Sequence, residues 1–224
     1  MSFGDKKLSE IAVSVPGSTS LLRKYDLDFC CGGSDTLANA AAEKGLNLAE
    51  IETRLTELQN SKAENPEEYW VNATYPEIID HILVRYHQRH REQLQELIVL
   101  ADRVESVHGD REDCPIGVAA ELRNVYEDLS NHMMKEEHVL FPMIKAGNYM
   151  MAQMPIRMME MEHAEHGEHL DVLKSLTNNM TPPADACNTW CALYSGIQEF
   201  ADDLMMHIHR ENNILFPRVI AENH

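Results

Sequence analysis

The sequence predicts an all-α protein, a small helical N-terminal domain followed by a four-helix bundle. Three observations predict it. Phe, Tyr and Trp together make up only 6% of the 224 residues, a composition that leans away from strands and toward helix. From Pro76 onward four long stretches keep a helical apolar period, with Pro near each start and polar or Gly-rich joints between them. Finally, one His-x-x-x-Glu segment occurs twice with the same apolar tail.

Residues 1–60 form the N-terminal domain. Pro16 and Gly17 punctuate it, and Gly32-Gly33 leads to Ser34, the expected N-cap of a helix over 35–43. Gly45 closes that helix, and Leu48, Ile51, Leu55 and Leu58 then recur at helical spacing. Residues 61–75 lose the period and read as a linker. The domain at 76–224 then offers helical segments at about 76–107, 115–146, 155–177 and 182–221, enough for an up-down bundle.

Charge and cysteine usage exclude several classes. Lys plus Arg is 19 against Asp plus Glu 37, a net charge of −18, so no general positive field is present for nucleic acid or an anionic membrane. The same acidic exterior attracts metal cations. No secretory h-region follows Met1-Ser2-Phe3-Gly4-Asp5, and no apolar run reaches the roughly 20 residues a membrane span needs. Five Cys, with Cys30 and Cys31 adjacent, do not resemble a secreted disulfide framework. The expected compartment is the cytoplasm. The sequence leaves the oligomeric state open, a homodimer among the options.

The repeat locates the chemistry. His132-Met-Met-Lys-Glu136 is followed by Leu140-Phe141-Pro142, and His207-Ile-His-Arg-Glu211 by Leu215-Phe216-Pro217. Upstream, Leu129 matches Leu204 and Val125 matches Phe200. His87 precedes His132 by 45 residues, and His163 precedes His207 by 44. The bundle therefore reads as two similar hairpins, each giving one His from its first helix and a His/Glu pair from its second. In a helix, i and i+4 share a face, so both pairs point with the neighbouring Leu and Val into the core. Two buried carboxylates facing each other are costly unless cations take them as ligands. Four His and two Glu exceed one tetrahedral zinc. They suit two metal ions, each Glu bridging, and mixed imidazole and carboxylate donors favour iron or manganese. A di-iron centre on His87, His132, Glu136, His163, His207 and Glu211 is the expectation.

The other histidines receive plainer readings. His81, His138, His169 and His209 fall off the ligand stripe and are expected at the surface. His90 and His166, at i+3 from a ligand, approach the core as hydrogen-bonding or packing residues. His108 and His224 are expected to be solvated. The Met pairs 133–134, 150–151, 158–159 and 205–206 read as flexible core filler. A ferritin-like pattern of Glu-x-x-His with lone Glu partners fits only Glu160-x-x-His163 and Glu105-x-x-His108, without matching lone Glu residues. Cys30 and Cys31, expected at a helix N-terminus where a thiol ionises more readily, are either small buried turn residues or redox or metal-transfer thiols. Cys114, Cys187 and Cys191 read as structural; Cys187 and Cys191, at i and i+4 of the fourth segment, could pair, with core packing the favoured reading.

At this point the residues are recognisable. Tyr25-Asp-Leu-Asp-Phe-Cys30-Cys31-Gly-Gly, His81-Ile-Leu-Val-Arg-Tyr-His87, His132-Met-Met-Lys-Glu136-Glu, Met161-Glu-His163 and His207-x-x-x-Glu211 together resemble the YtfE/ScdA (repair of iron centres) family of hemerythrin-like di-iron proteins. The resemblance spans nearly the whole chain and implies the same six ligands. It implies a cytoplasmic stress protein that restores iron-sulfur clusters damaged by nitric oxide or oxidants, with the damaged cluster proteins as clients. An iron donor is expected rather than a catalyst. The alternative is a module that binds or reduces nitric oxide, or binds O2; a sensor signalling through its N-terminal domain is a third class. One departure stands out. Oxygen-carrying hemerythrins place a second His one turn along the third helix, where this chain has Gly167. A missing imidazole leaves coordination more open and iron more labile.

Overall fold

The computed structural model describes residues 2–61 and 64–222; the last expected surface histidine, His224, lies outside them, as do Lys62 and Ala63 of the expected linker. Regular structure among the described residues is helical apart from one isolated bridge between Lys7 and Thr36. By packing, the chain divides into Met1–Ile78 with Met206–His224, and Ile79–Met205.

The first unit opens with α1 (Leu8–Ser14), α2 (Ser18–Lys24), α3 (Leu37–Glu43) and α4 (Leu48–Asn60). Leu8, Ile11, Leu22, Leu37, Ile51 and Leu55 are buried and supply its core, each worth about 1.5–3 kcal/mol on burial. The cap of α3 is Thr36, whose Oγ1 accepts from Asn39 N–H at 3.3 Å, not Ser34. The Glu52 carboxylate gathers the start of the chain, accepting from Phe3 and Gly4 N–H at 2.7 and 2.9 Å.

The segment 61–75, read as a linker, contains α5 (Pro66–Asn72). Asn65 caps that helix, Pro66 opens it, and Glu67 and Glu68 occupy its first turn, all favourable local choices. It lacks an apolar stripe because its buried residue is Glu67. Glu67 pairs with buried Arg210, which also lies 4.8 Å over the Trp70 ring. Arg218 adds bonds to the Trp70 and Ala73 carbonyls at 3.3 and 2.8 Å. These contacts pack residues 206–222 with the N-terminal residues.

The remaining helices are those of the bundle sequence, most of them in the second unit. α6 (Tyr75–His81) passes through a π-helical turn, Ile82–His87, into α7 (Gln88–His108). α8 (Val118–Lys135) passes through a second π turn, Glu136–Leu140, into α9 (Phe141–Lys145). α10 spans Tyr149–Leu176, and α11 (Asn188–Arg210) runs through the division. A third π turn, Glu211–Leu215, leads to α12 (Phe216–Ala221). Pro155 therefore stands inside α10 rather than at its start, and the fourth long helix begins at Asn188 rather than near Pro182.

Leu94, Leu97 and Val104 of α7, Leu122, Val125 and Leu129 of α8, Ile156 and Leu173 of α10, and Trp190, Leu193, Ile197 and Phe200 of α11 form the bundle core. Gly196 allows the approach of α11 to α7, since a Cβ there would stand 2.7 Å from Leu97 Cδ2. The core-filler reading holds for Met133 and Met159 but not for Met134, Met150, Met151 and Met158, which are exposed. On α10 the inward face carries Ala152, Ile156, Met159 and His163, leaving the intervening Met side chains outside.

Candidate metal centre

His87, His132, Glu136 and His163 come from α8, α10 and the two π turns of the bundle unit, and all are buried. One carboxylate oxygen, Glu136 Oε2, lies 3.3 Å from His87 Nε2 and 3.4 Å from His132 Nε2. His163 Nε2 lies 3.1 Å from His132 Nε2. Two imidazoles thus turn Nε2 toward one buried carboxylate oxygen, and a third, His163, joins them, with ligand atoms of His132, Glu136 and His163 within 4.8 Å of one another.

The far ring nitrogens are also engaged. His87 Nδ1 is 2.8 Å from Glu137 Oε1, which accepts from Arg91 at 2.8 Å as well. His132 Nδ1 is 2.9 Å from Glu162 Oε2, and Lys135 donates to the other Glu162 oxygen at 2.6 Å. The hydrogen bond from His87, supported by Arg91, lowers the Glu137 carboxyl to about 2. The bond from His132, supported by Lys135, does the same for Glu162. Both groups are therefore carboxylates at neutral pH, and each fixes a proton on Nδ1. Nε2 then presents its lone pair, the arrangement a metal-binding imidazole requires. Sequence reasoning missed Glu137 and Glu162. Glu137 directly follows Glu136 and Glu162 directly precedes His163, but neither lies on the apolar stripe.

In the other unit His207 and Glu211 repeat the His132/Glu136 relation, with His207 Nε2 3.3 Å from Glu211 Oε1 and both residues buried. Glu136 and Glu211 each open a π turn that ends before a Phe-Pro pair. Pro142 and Pro217 lack the N–H that would continue regular helical bonding, so the repeated Leu-Phe-Pro tail marks a local change of helical register. Phe141 of that tail lies against the His87 ring, with centroids 5.8 Å apart.

The remaining histidines divide. His90 is buried against Tyr86 and Phe200, and His166 against His132, in keeping with packing roles. His138 is exposed, while His81, His108 and His169 are partly covered. His169 is held between Glu121 and Asp128 at 2.6 and 3.1 Å. His209 corrects its surface assignment, being fully buried. It meets Phe29 edge-on, accepts from the Asn213 amide at Nδ1 (2.8 Å) and lies 3.4 Å from Glu67. Burial pushes its imidazole down from the ordinary range despite Glu67. Being off one stripe of α11 does not expose it, because residues 206–222 are packed by the N-terminal residues too.

Cys30 is buried, Cys31 is half-buried, and their sulfurs are 3.8 Å apart. Asp28 organises the loop, its carboxylate accepting from Cys30, Cys31 and Gly32 N–H at 3.0, 2.9 and 2.8 Å. The expected helix-start effect is absent, since α3 begins only at Leu37. Instead the Cys31 hydrogen bond and burial push the Cys30 thiol well up. Within the same unit, Asn212 donates to the Cys30 carbonyl at 3.0 Å and Asn213 to the Phe29 carbonyl at 2.8 Å. The thiol loop is thereby tied to the turn that carries Glu211. Cys187 and Cys191 are exposed, so their reading as core residues is also corrected.

The donor set fits a borderline metal such as iron: buried imidazoles of fixed tautomer beside a buried carboxylate, with no thiolate among them. Comparison with known proteins agrees. The model of the hemerythrin HHE cation binding domain matches residues 78–219, and that of ScdA_N, a domain of unknown function (DUF542), matches residues 4–59. A probable iron-sulfur cluster repair protein of Haemophilus influenzae is 68% identical over 222 residues, covering 99% of this chain and 100% of the relative. The iron-sulfur cluster repair proteins YtfE of Citrobacter koseri and Escherichia coli are each 55% identical over 222 residues, 99% of both chains. With the bundle matched to one domain model and the whole length to these relatives, the chain belongs to the hemerythrin-like iron-sulfur cluster repair family related to YtfE.

Proposed function

We propose that this protein repairs iron-sulfur clusters damaged by nitrosative or oxidative stress, supplying iron held by His87, His132, Glu136, His163, His207 and Glu211. Two iron ions per chain, with Glu136 and Glu211 bridging, account for the residue set. The observation that carries this reading is the Glu136 carboxylate shared between His87 and His132, 3.3 and 3.4 Å away, together with its repeat at His207/Glu211. Iron bound there is the cargo, a cation to be delivered to a cluster that has lost one.

The chain's own residues favour delivery. Glu137 and Glu162 hold the His87 and His132 rings in one tautomer, so the ligands stay ready while iron comes and goes. At Gly167, one turn after His163, the chain offers no side-chain ligand, and an added Cβ would meet nothing within 4 Å. Fewer protein ligands mean faster release. Cys30 and Cys31, tied through Asn212 to the turn of Glu211, are proposed as the thiols through which iron passes to a client. The clients are damaged iron-sulfur proteins in the cytoplasm, an assignment consistent with five free cysteines. No helix of the described residues is long and apolar enough to cross a membrane.

The lack of a ligating side chain at Gly167 also favours a second reading, binding or reduction of nitric oxide. One experiment separates them. The iron-loaded protein is mixed anaerobically with a dehydratase whose cluster has lost iron, and recovered activity, iron transferred and nitrous oxide are followed. Recovery in proportion to iron lost, without nitrous oxide, supports donation. Catalytic nitrous oxide formation from added nitric oxide, with no iron transferred, supports the alternative.

A further inference from the structure

At the far end of α7 the structure pairs two groups that the iron chemistry does not use. His108, the last residue of α7, places Nε2 at 3.2 Å from the Sγ of Cys187, the residue immediately before α11. Cys187 is exposed and His108 partly so. Both are held by neighbours. The His108 ring lies 5.2 Å from the ring of the fully buried Trp190, and Arg111 covers the same indole at 5.3 Å. Arg111 in turn grips the Asp185 carboxylate with two bonds of 3.0 and 2.9 Å, two residues before Cys187. The thiol and the imidazole are thus fixed from both sides by contacts independent of the pair itself. Cys191, one turn further along α11, is equally exposed and directs its sulfur 3.8 Å from the Ala186 carbonyl.

We propose that Cys187 is a nucleophilic thiol, with His108 as its base, that forms a mixed disulfide with low-molecular-weight disulfides. His108 Nε2 takes the Sγ proton, and the thiolate attacks one sulfur of the incoming disulfide. A Cys187–sulfur bond forms and the incoming sulfur–sulfur bond breaks. The other half leaves as a thiolate and recovers the proton from the imidazolium. Cys187 is oxidised, the departing sulfur is reduced, and no further reagent is needed. Asp113 and Asp185 outnumber Arg111 beside the pair, so a cationic disulfide is the better substrate. The mixed disulfide forms at the start of the helix that carries His207, giving oxidants a covalent point of attack remote in sequence from Cys30 and Cys31.

The test uses the full-length protein and cystamine. Limiting cystamine is added near neutral pH, the reaction is stopped with acid, and adducts are mapped by peptide mass spectrometry over time. Cys187 is expected to react about tenfold faster than Cys191, the exposed thiol without an imidazole, and His108→Asn should reduce it to the Cys191 rate. Equal rates at Cys187 and Cys191 in the unaltered protein overturn the proposal without any variant. So does an unchanged Cys187 rate in His108→Asn with native helical circular dichroism.

Discussion

Glu162 offers a sharp test of how the proposed metal ligands are supported. Its Oε2 lies 2.9 Å from His132 Nδ1, and its second oxygen accepts from Lys135. A hydrogen bond to a charged group is worth about 1.5–3 kcal/mol and a neutral one about 1 kcal/mol. Glu162→Gln keeps an acceptor but removes the charge, so it should cost roughly 1–1.5 kcal/mol of support for the His132 ring, about tenfold in iron affinity at 1.4 kcal/mol per decade. Glu162→Ala removes the whole bond and should cost about 10- to 100-fold. Anaerobic competition with a coloured iron(II) chelator measures both. Glu160→Gln, an exposed carboxylate on the same helix, is the control and should leave affinity unchanged. Wild-type affinity in both Glu162 variants would refute the supporting role of this carboxylate and weaken the case for His132 as a ligand.

Two further outcomes are expected. Gly167→His, entering space that is open at the Cβ, should slow iron loss to a chelator; Gly167→Ala should leave that rate unchanged while stabilising the helix by about 0.8–1.0 kcal/mol in urea unfolding. Arg210→Met, which leaves the buried Glu67 carboxylate without its guanidinium, should destabilise the protein by about 3–5 kcal/mol, with most of the loss recovered in the Arg210→Met, Glu67→Leu pair. A loss below about 1 kcal/mol in the single variant would count against that ion pair's structural role.

Much of this was legible in the sequence because the bundle obeys simple periodicity. Leu129, His132 and Glu136 fall on one stripe, as do Leu204, His207 and Glu211, and each of these residues is buried. The features that escaped do not follow that period. α5 is specified by its cap, its proline and an ion pair rather than by apolar spacing, so it resembles a linker. His209 is buried by residues distant in sequence, which no helical wheel reports. The π turns shift the register by one residue just where Glu136 and Glu211 stand, and only the paired Phe-Pro tails hint at them. Glu137 and Glu162 reach His87 and His132 across the helices, a relation that spacing along one helix does not encode. Conversely, the outward Met side chains of α10 show that an apolar residue in a bundle helix need not face its core.

These histidines and glutamates are proposed to hold two irons. Metal content with absorption spectra, measured for the wild-type protein and for His132→Ala, tests it most directly. Two irons per chain are expected in the wild type, and their loss in the variant. One zinc per chain, or two irons retained by His132→Ala, would contradict it.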